Sequence, residues 1–81
     1  MDKELAREVI RAAYRSGSEL EKLVVALKER SSPEDYKYFM RQVAIAIDGI
    51  HVALVDKVLV RYPELDAEMR TNLARTGRVM P

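Results

Sequence analysis

The stretch Val43–Val60, VAIAIDGIHVALVDKVLV, decides how this 81-residue chain folds. Its only ionisable side chains are Asp48, His51, Asp56 and Lys57, and nearly all the others are aliphatic. The stretch is too apolar for an ordinary surface helix. It is also too interrupted by charge for a membrane span, which needs about 20 nearly uncharged residues. We therefore expect a helix that protein covers on more than one side.

This stretch lies within a longer predicted helix, at about residues 33–62. Ser32 is suited to cap its start, Pro33 fits the first helical position, and Pro63 prevents a further turn. A helix of this length spans about 45 Å, whereas a compact domain of this size is only about 30 Å across. The helix must then bend near Gly49, project from the domain or pack along a partner chain, and we favour the partner chain.

At 100° per residue, the predicted helix carries two apolar directions, which predict two packing partners. The main stripe consists of Tyr36, Phe39, Met40, Val43, Ile47, Ile50, Leu54 and Val58. Of the three aromatic residues at its start, Tyr36 and Phe39 are expected in the core and Tyr38 outside it. The second direction contains Ile45, Val52, Val55 and Leu59. We assign a subunit interface to Ile45, Ile50, Val52, Leu54, Val55 and Leu59.

The rest of the chain predicts three shorter helices. The first begins at Asp2 as an N-cap and ends near Ser16-Gly17-Ser18, because glycine suits the left-handed end of a helix. Ser18 and Glu21 form a capping-box pattern that opens the second helix. The last follows Pro63, carries Leu65, Met69 and Leu73 on one face, and ends at Gly77. We expect a single helical domain over residues 1–77 and a flexible tail over 78–81.

Composition supports this fold class, an all-α bundle of three or four helices around one long apolar central helix. The chain is 48% hydrophobic and 33% charged, as in folded proteins, and shows no alternating strand pattern. So short a chain is marginal as a monomer, which favours a dimer or higher oligomer. It contains no cysteine, which fits a cytoplasmic location.

Asp48 and His51 are the candidate chemical site. Three residues apart on a helix, a carboxylate and an imidazole share one face and could ligate a divalent metal ion. The alternative is a polar break in the helix, or a hydrogen bond between the two side chains. No nucleophile is spaced to join them, so we expect no enzymatic activity and no cofactor.

The sequence thus indicates a small non-catalytic helical module that associates with itself or with another helical protein. A small nucleic-acid-binding regulator is the second hypothesis, based on helix count alone. The net charge of +1 argues against it, because nucleic-acid-binding proteins usually carry a basic excess. A metal-binding bundle that uses Asp48 and His51 is the third.

Overall fold

The computed structural model describes residues 1–79. Helices make up 89% of these residues, which contain no strand. Helix α1 spans Lys3–Arg30. A long helix follows, made of α2 (Pro33–Ile50), a π-helical segment (His51–Asp56) and α3 (Lys57–Arg61). Helix α4 spans Glu64–Thr76. In the part described, none of the helices combines the length and the apolar character that crossing a membrane requires.

Four predicted helix boundaries are confirmed. The Asp2 side chain accepts a hydrogen bond from the backbone N–H of Leu5 at 2.8 Å and caps α1. Ser32 caps α2 by accepting the Asp35 N–H at 3.1 Å, and a proline occupies the first turn. The long helix ends just before Pro63. Gly77 ends α4 in the left-handed conformation, with φ of 73°.

The predicted break at Ser16-Gly17-Ser18 is wrong, because α1 continues through all three residues. Glycine costs about 1 kcal/mol in a helix interior, so packing must outweigh that preference. A Cβ placed on Gly17 would lie 4.0 Å from Cγ2 of Ile47, which shows how closely the long helix approaches α1 here. The capping box of Ser18 and Glu21 therefore does not form.

Helix α1 and the long helix form an antiparallel hairpin joined at Ser31 and Ser32. Helix α4 packs only on the end of the hairpin that holds the chain's N-terminus. The core cluster lies at that end and consists of Ala6, Ile10, Ala13, Val55, Val58, Leu65, Met69 and Val79. Between residues 14 and 54 only Val43 is buried. The half of the hairpin near its loop is therefore a pair of helices on which no other helix of residues 1–79 packs.

The π-helical segment changes which side chains of the long helix point inward. The inward-pointing residues Val43, Ile47 and Ile50 are spaced by four and then three residues, as in an α-helix. The next inward residue is Val55, which is 1% exposed and lies five residues after Ile50. This five-residue step corresponds to the one residue that a π turn inserts. Val55 and Leu59, predicted in a second apolar direction, thus join the main one. Leu54, predicted within the main stripe, is instead 41% exposed.

The length of the long helix does not require a partner chain or a bend at Gly49. Gly49 lies inside α2, and the irregularity begins two residues later. Because α1 is nearly as long as its neighbour, the whole protein extends over 44 × 25 × 16 Å. Its radius of gyration is 14.9 Å, against about 12 Å for a compact chain of this length. The protein is elongated, so the expectation of a compact shape about 30 Å across is wrong.

Ion pairs attach α4 to the start of α1. Arg7 donates from Nε to one carboxylate oxygen of Glu68 at 2.7 Å and from Nη2 to the other at 3.1 Å. Lys3 pairs with Glu64 at 3.2 Å. The pKa of Glu68 is lowered, chiefly by the Arg7 hydrogen bond. The pKa of Glu64 is also lowered, by a backbone hydrogen bond first and by Lys3 second.

Candidate association surface

Helix α1 has an exposed apolar side that points away from α4. Tyr14 lies on the α4 side, where it lines a groove with Leu73 and Val79. Leu5 and Leu23 are each nine residues from Tyr14, which places them about 180° around the helix from it. Ala12 and Ser16 lie between them on the same side. Leu5, Ala12, Ser16 and Leu23 form a stripe with no charged member.

The long helix continues this surface. His51 and Ile47 line a cavity of about 140 Å³ with Tyr14, on the α4 side of the hairpin. Phe39 and Ala46 lie about 120–140° around the helix from His51, on the other side. Leu54 lies on this side as well. It comes one residue before Val55, which points inward, so the helix turns its side chain away from the core and towards the side of Phe39 and Ala46. We call this surface the open face and define it as Leu5, Ala12, Ser16 and Leu23 of α1 with Phe39, Ala46 and Leu54 of the long helix.

The open face exposes large apolar side chains at its two ends. Leu5 is 48% exposed and Leu23 is 47% exposed. Phe39 is 46% exposed and Leu54 is 41% exposed. The middle of the face holds only small side chains, those of two alanines and a serine. Such a contiguous uncharged patch is typical of a surface that another protein covers.

The total surface area supports the same interpretation. The chain exposes 5966 Å², whereas a folded monomer of 9.3 kDa exposes about 5,000 Å² on the usual scaling. The excess is about 1,000 Å². A standard protein–protein interface buries about 800 Å² on each partner. The surface left uncovered by the fold is therefore large enough for one such interface.

The residues predicted for the interface fall into two groups. Val55 is buried, and Ile50 and Leu59 pack against the core, so these three contact their own chain. Ile45 is 60% exposed and Val52 is 46% exposed. Both lie on the outer side of the long helix, and of the six predicted residues only Leu54 belongs to the open face. Interface participation of the exposed residues stays a prediction.

The aromatic residues at the start of α2 also differ from expectation. Phe39, predicted in the core, is nearly half exposed and contacts the Tyr38 ring edge to face, with ring centroids 5.0 Å apart. Tyr36 is partly buried and Tyr38 is 60% exposed. The reason is that Phe39 lies on the open face, the side of the hairpin that faces away from α4, so no helix of the described residues covers its ring.

The side chains of Asp48 and His51 form no hydrogen bond or ion pair with each other within residues 1–79. Asp48 is exposed. His51 Nε2 lies 3.5 Å from Asp56 Oδ1 across the π-helical segment, and its ring meets that of Tyr14 edge-on, with centroids 6.0 Å apart. Burial, with Asp56 and Asp66 nearby, raises the pKa of Tyr14. The part of the chain described holds no group of three His, Asp or Glu side chains placed for a metal ion.

The residues predicted for an interface do not include Leu5 and Leu23, which the structure places on the open face. With a break at Gly17, each of two short helices needs only one apolar face. A continuous helix carries the stripe from Leu5 to Leu23 beside a second stripe of Ala6, Ile10 and Ala13. The spacing is visible in the sequence, but it has meaning only when the helix is uninterrupted.

Part of the predicted tail packs on the core. Val79 is 9% exposed within the core cluster, and its carbonyl accepts a hydrogen bond from Asn72 Nδ2 at 3.0 Å. Residues 80–81 of that tail lie outside the described residues.

Comparison of the chain with known protein families, with curated proteins and with solved structures finds no match.

Proposed function

We propose that this protein is a non-catalytic helical association module that binds a helical protein surface through its open face. The observation that carries the proposal is the position of Leu5, Leu23, Phe39 and Leu54. All four are nearly half exposed on the side of the hairpin that faces away from α4. Apolar side chains in such a patch favour binding because covering them removes apolar area from water, at about 25 cal/mol per Å².

The surface fits a helical partner better than an extended peptide or a small molecule. It is a pair of antiparallel helices with small side chains between large ones. Ridges of a partner helix pack into grooves of this kind. A small-molecule site, in contrast, is usually a concave pocket of at least about 300 Å³. The largely apolar cavity beside His51 has only about 140 Å³. The groove between α1 and the end of α4 is larger, about 500 Å³, but it lies outside the open face and three arginines line it.

The proposal is tested by measuring mass in solution. We expect the wild-type protein at micromolar concentration to sediment with more than its own mass of 9.3 kDa. The variant Leu23→Glu/Phe39→Glu places two charges on the open face and should sediment as a monomer. Val25→Glu/Val60→Glu is the matched control, since both valines are exposed apolar residues outside the open face. A wild-type protein that stays monomeric from micromolar concentrations upward, and binds no helical protein, contradicts the proposal.

A nucleic-acid-binding regulator is the second candidate, and one feature favours it. Arg11, Arg15 and Arg78 line a groove between α1 and the end of α4. Guanidinium groups in such a groove would contact phosphates, and binding would then weaken steeply with salt. The test is a titration of mixed-sequence duplex DNA and single-stranded RNA at two salt concentrations, with Arg15→Glu/Arg78→Glu as the variant. Absence of salt-sensitive binding removes this candidate.

A further inference from the structure

We infer that the partner of the open face is a second copy of this chain, turned end over end. In this arrangement α1 of each copy lies antiparallel on α1 of the other, with the two-fold axis passing at Ser16. The two hairpins then form a four-helix bundle, and each α4 lies on the outside. This inference rests on the proposed function, because it names the occupant and geometry of the same surface.

The spacing of the uncharged residues on α1 is symmetric about Ser16. Uncharged side chains lie four, seven and eleven residues before it and at the same distances after it. Three of them, Val9, Leu20 and Leu27, are partly buried beside the open face, and Val9 also packs against the core. Antiparallel pairing therefore places opposite each other, in the two copies, the pairs Ala12 and Leu20, Val9 and Leu23, and Leu5 and Leu27. An interface between identical copies related by a two-fold axis must be self-complementary. The stripe on α1 meets this condition, because each apolar residue faces another apolar residue of the second copy. The small Ser16 side chains allow the two helices to approach closely at the axis.

The long helix is centred at the same level. Ile47 lies against Gly17, so its neighbour Ala46 lies beside the proposed axis. Phe39 precedes Ala46 by seven residues, and Leu54 follows it by eight. End-over-end rotation thus brings Phe39 of one copy near Leu54 of the other. Both helices place small side chains in the middle of the face and large ones at its ends.

Charges on the outer rim of α1 favour the antiparallel direction. Arg15 and Glu19 lie on either side of Ser16, so each Arg15 is nearly level with Glu19 of the second copy. Glu8, eight residues before the axis, is similarly near the level of Lys22, six residues after it. Lys22 also pairs with Glu19 of its own helix at 3.0 Å. A parallel arrangement would instead place Arg15 opposite Arg15 and Glu8 opposite Glu8. Charge pairs of this kind set the orientation of packed helices.

Single cysteines test the geometry directly, because the chain contains none. We expect Ser16→Cys to form a disulfide-linked dimer rapidly under mild oxidation, since its two copies meet at the axis. Leu5→Cys should not link to itself, because eleven residues on each side of the axis separate the two copies by about 33 Å. Glu29→Cys, outside the open face, measures linkage by random collision.

A charge exchange provides a second test that needs no cross-link. Arg15→Glu should weaken the dimer about fivefold, because it places a carboxylate at position 15 near Glu19 of the other copy, twice per dimer. Glu19→Arg should weaken it similarly, and the combined Arg15→Glu/Glu19→Arg chain should recover wild-type affinity. A mixture of the two single variants supplies a further check. A dimer with one chain of each regains both opposite-charge pairs, so it should form in preference to either homodimer.

The outcomes separate this inference from the proposed function. If the protein associates but Ser16→Cys links no faster than Glu29→Cys, the antiparallel geometry is wrong while the association surface stands. If Leu5→Cys links as fast as Ser16→Cys, the copies are parallel. If the protein binds only a different helical protein, the second copy is not the occupant. A monomer that binds nothing overturns the proposed function itself.

Discussion

Arg7 and Glu68 form a two-point ion pair across 61 residues of sequence, with N–O distances of 2.7 and 3.1 Å. The pair joins the first helix to the last, and both side chains are only partly exposed. Planar pairing of this kind is stronger than a single-point contact because the hydrogen bonds are charge-assisted and the geometry is fixed. It helps to determine how α4 sits on the hairpin and therefore which side of the hairpin stays open.

Removing the charge of Glu68 should lower the melting temperature by a few degrees. Glu68→Gln keeps the shape of the side chain but replaces charge-assisted hydrogen bonds with weaker ones. Thermal unfolding followed by circular dichroism measures the change. Glu29→Gln is the control, because the Glu29 side chain is exposed and has no partner within residues 1–79. Equal melting temperatures for the two variants would show that the pair contributes nothing.

The pair of Arg7 and Glu68 should also make the stability of the folded protein decrease as the pH falls. The pKa of Glu68 is lower in the folded protein than its ordinary value of 4.5, so the unfolded chain takes up the proton first as the pH falls. The stabilisation is complete well above pH 4.5 and is lost as the pH falls through the lowered pKa. Denaturant midpoints measured from neutral into acidic solution should therefore fall less steeply for Glu68→Gln than for the wild type. Parallel curves would contradict this origin of the acid sensitivity.

Val55 and Val52 should respond very differently to truncation. Val55→Ala removes buried methyl groups and leaves a cavity in the core, which costs about 2 kcal/mol of unfolding free energy. Val52 is 46% exposed, and its replacement by alanine should change stability by no more than about 0.5 kcal/mol. Urea denaturation of both variants provides the comparison. Similar costs would mean that the π-helical segment does not turn Val55 inward.

Deleting Ala53 should convert the π-helical segment into regular α-helix without disturbing the core. With one residue fewer, Val55 follows Ile50 at the α-helical interval of four, and Val58 keeps its direction. We expect near wild-type helix content and stability, measured by circular dichroism. Deleting Ala44, an exposed residue within regular helix, is the matched control. That deletion rotates one half of the helix by about 100° against the other and should unfold the protein.

Replacing Gly17 and replacing Gly77 by alanine should change the unfolding free energy in opposite directions, which urea denaturation can measure. Gly17→Ala should stabilise the protein by about 1 kcal/mol, because alanine favours the helix interior and its Cβ would make an ordinary contact with Ile47. Gly77 has a φ of 73°, which alanine adopts only at a cost of about 1 kcal/mol. Destabilisation by Gly17→Ala would indicate that α1 is bent or broken there.

Local signals in the sequence predict the ends of the helices well. Asp2, Ser32, Pro33 and Gly77 act through the backbone of their own or adjacent turns, so their effect can be inferred without tertiary structure. Gly17 cannot be interpreted in the same way. Its surroundings include Ile47, which is thirty residues away and contributes packing that the local pattern does not contain.

The candidate surface is predicted only in part, for a related reason. The excess of apolar residues in Val43–Val60 indicates two packing directions, yet the π-helical segment merges part of the second direction with the first. A helical wheel drawn at 100° per residue assumes a regular α-helix, so it cannot represent the extra residue of the π turn. The apolar stripe on α1 becomes one surface only when the helix is continuous through Gly17, so the predicted break conceals it.

The uneven placement of the core also has a consequence for motion. Amide hydrogens near Ile10 and Val58 are protected by packing from three helices, whereas those near Leu23 and Phe39 belong to a two-helix end. Regions with few buried apolar contacts open locally at low free-energy cost, so this end should exchange its amide hydrogens first. A docked second chain would slow that exchange. The segment that opens most readily in the isolated chain would then become one of the best protected after assembly.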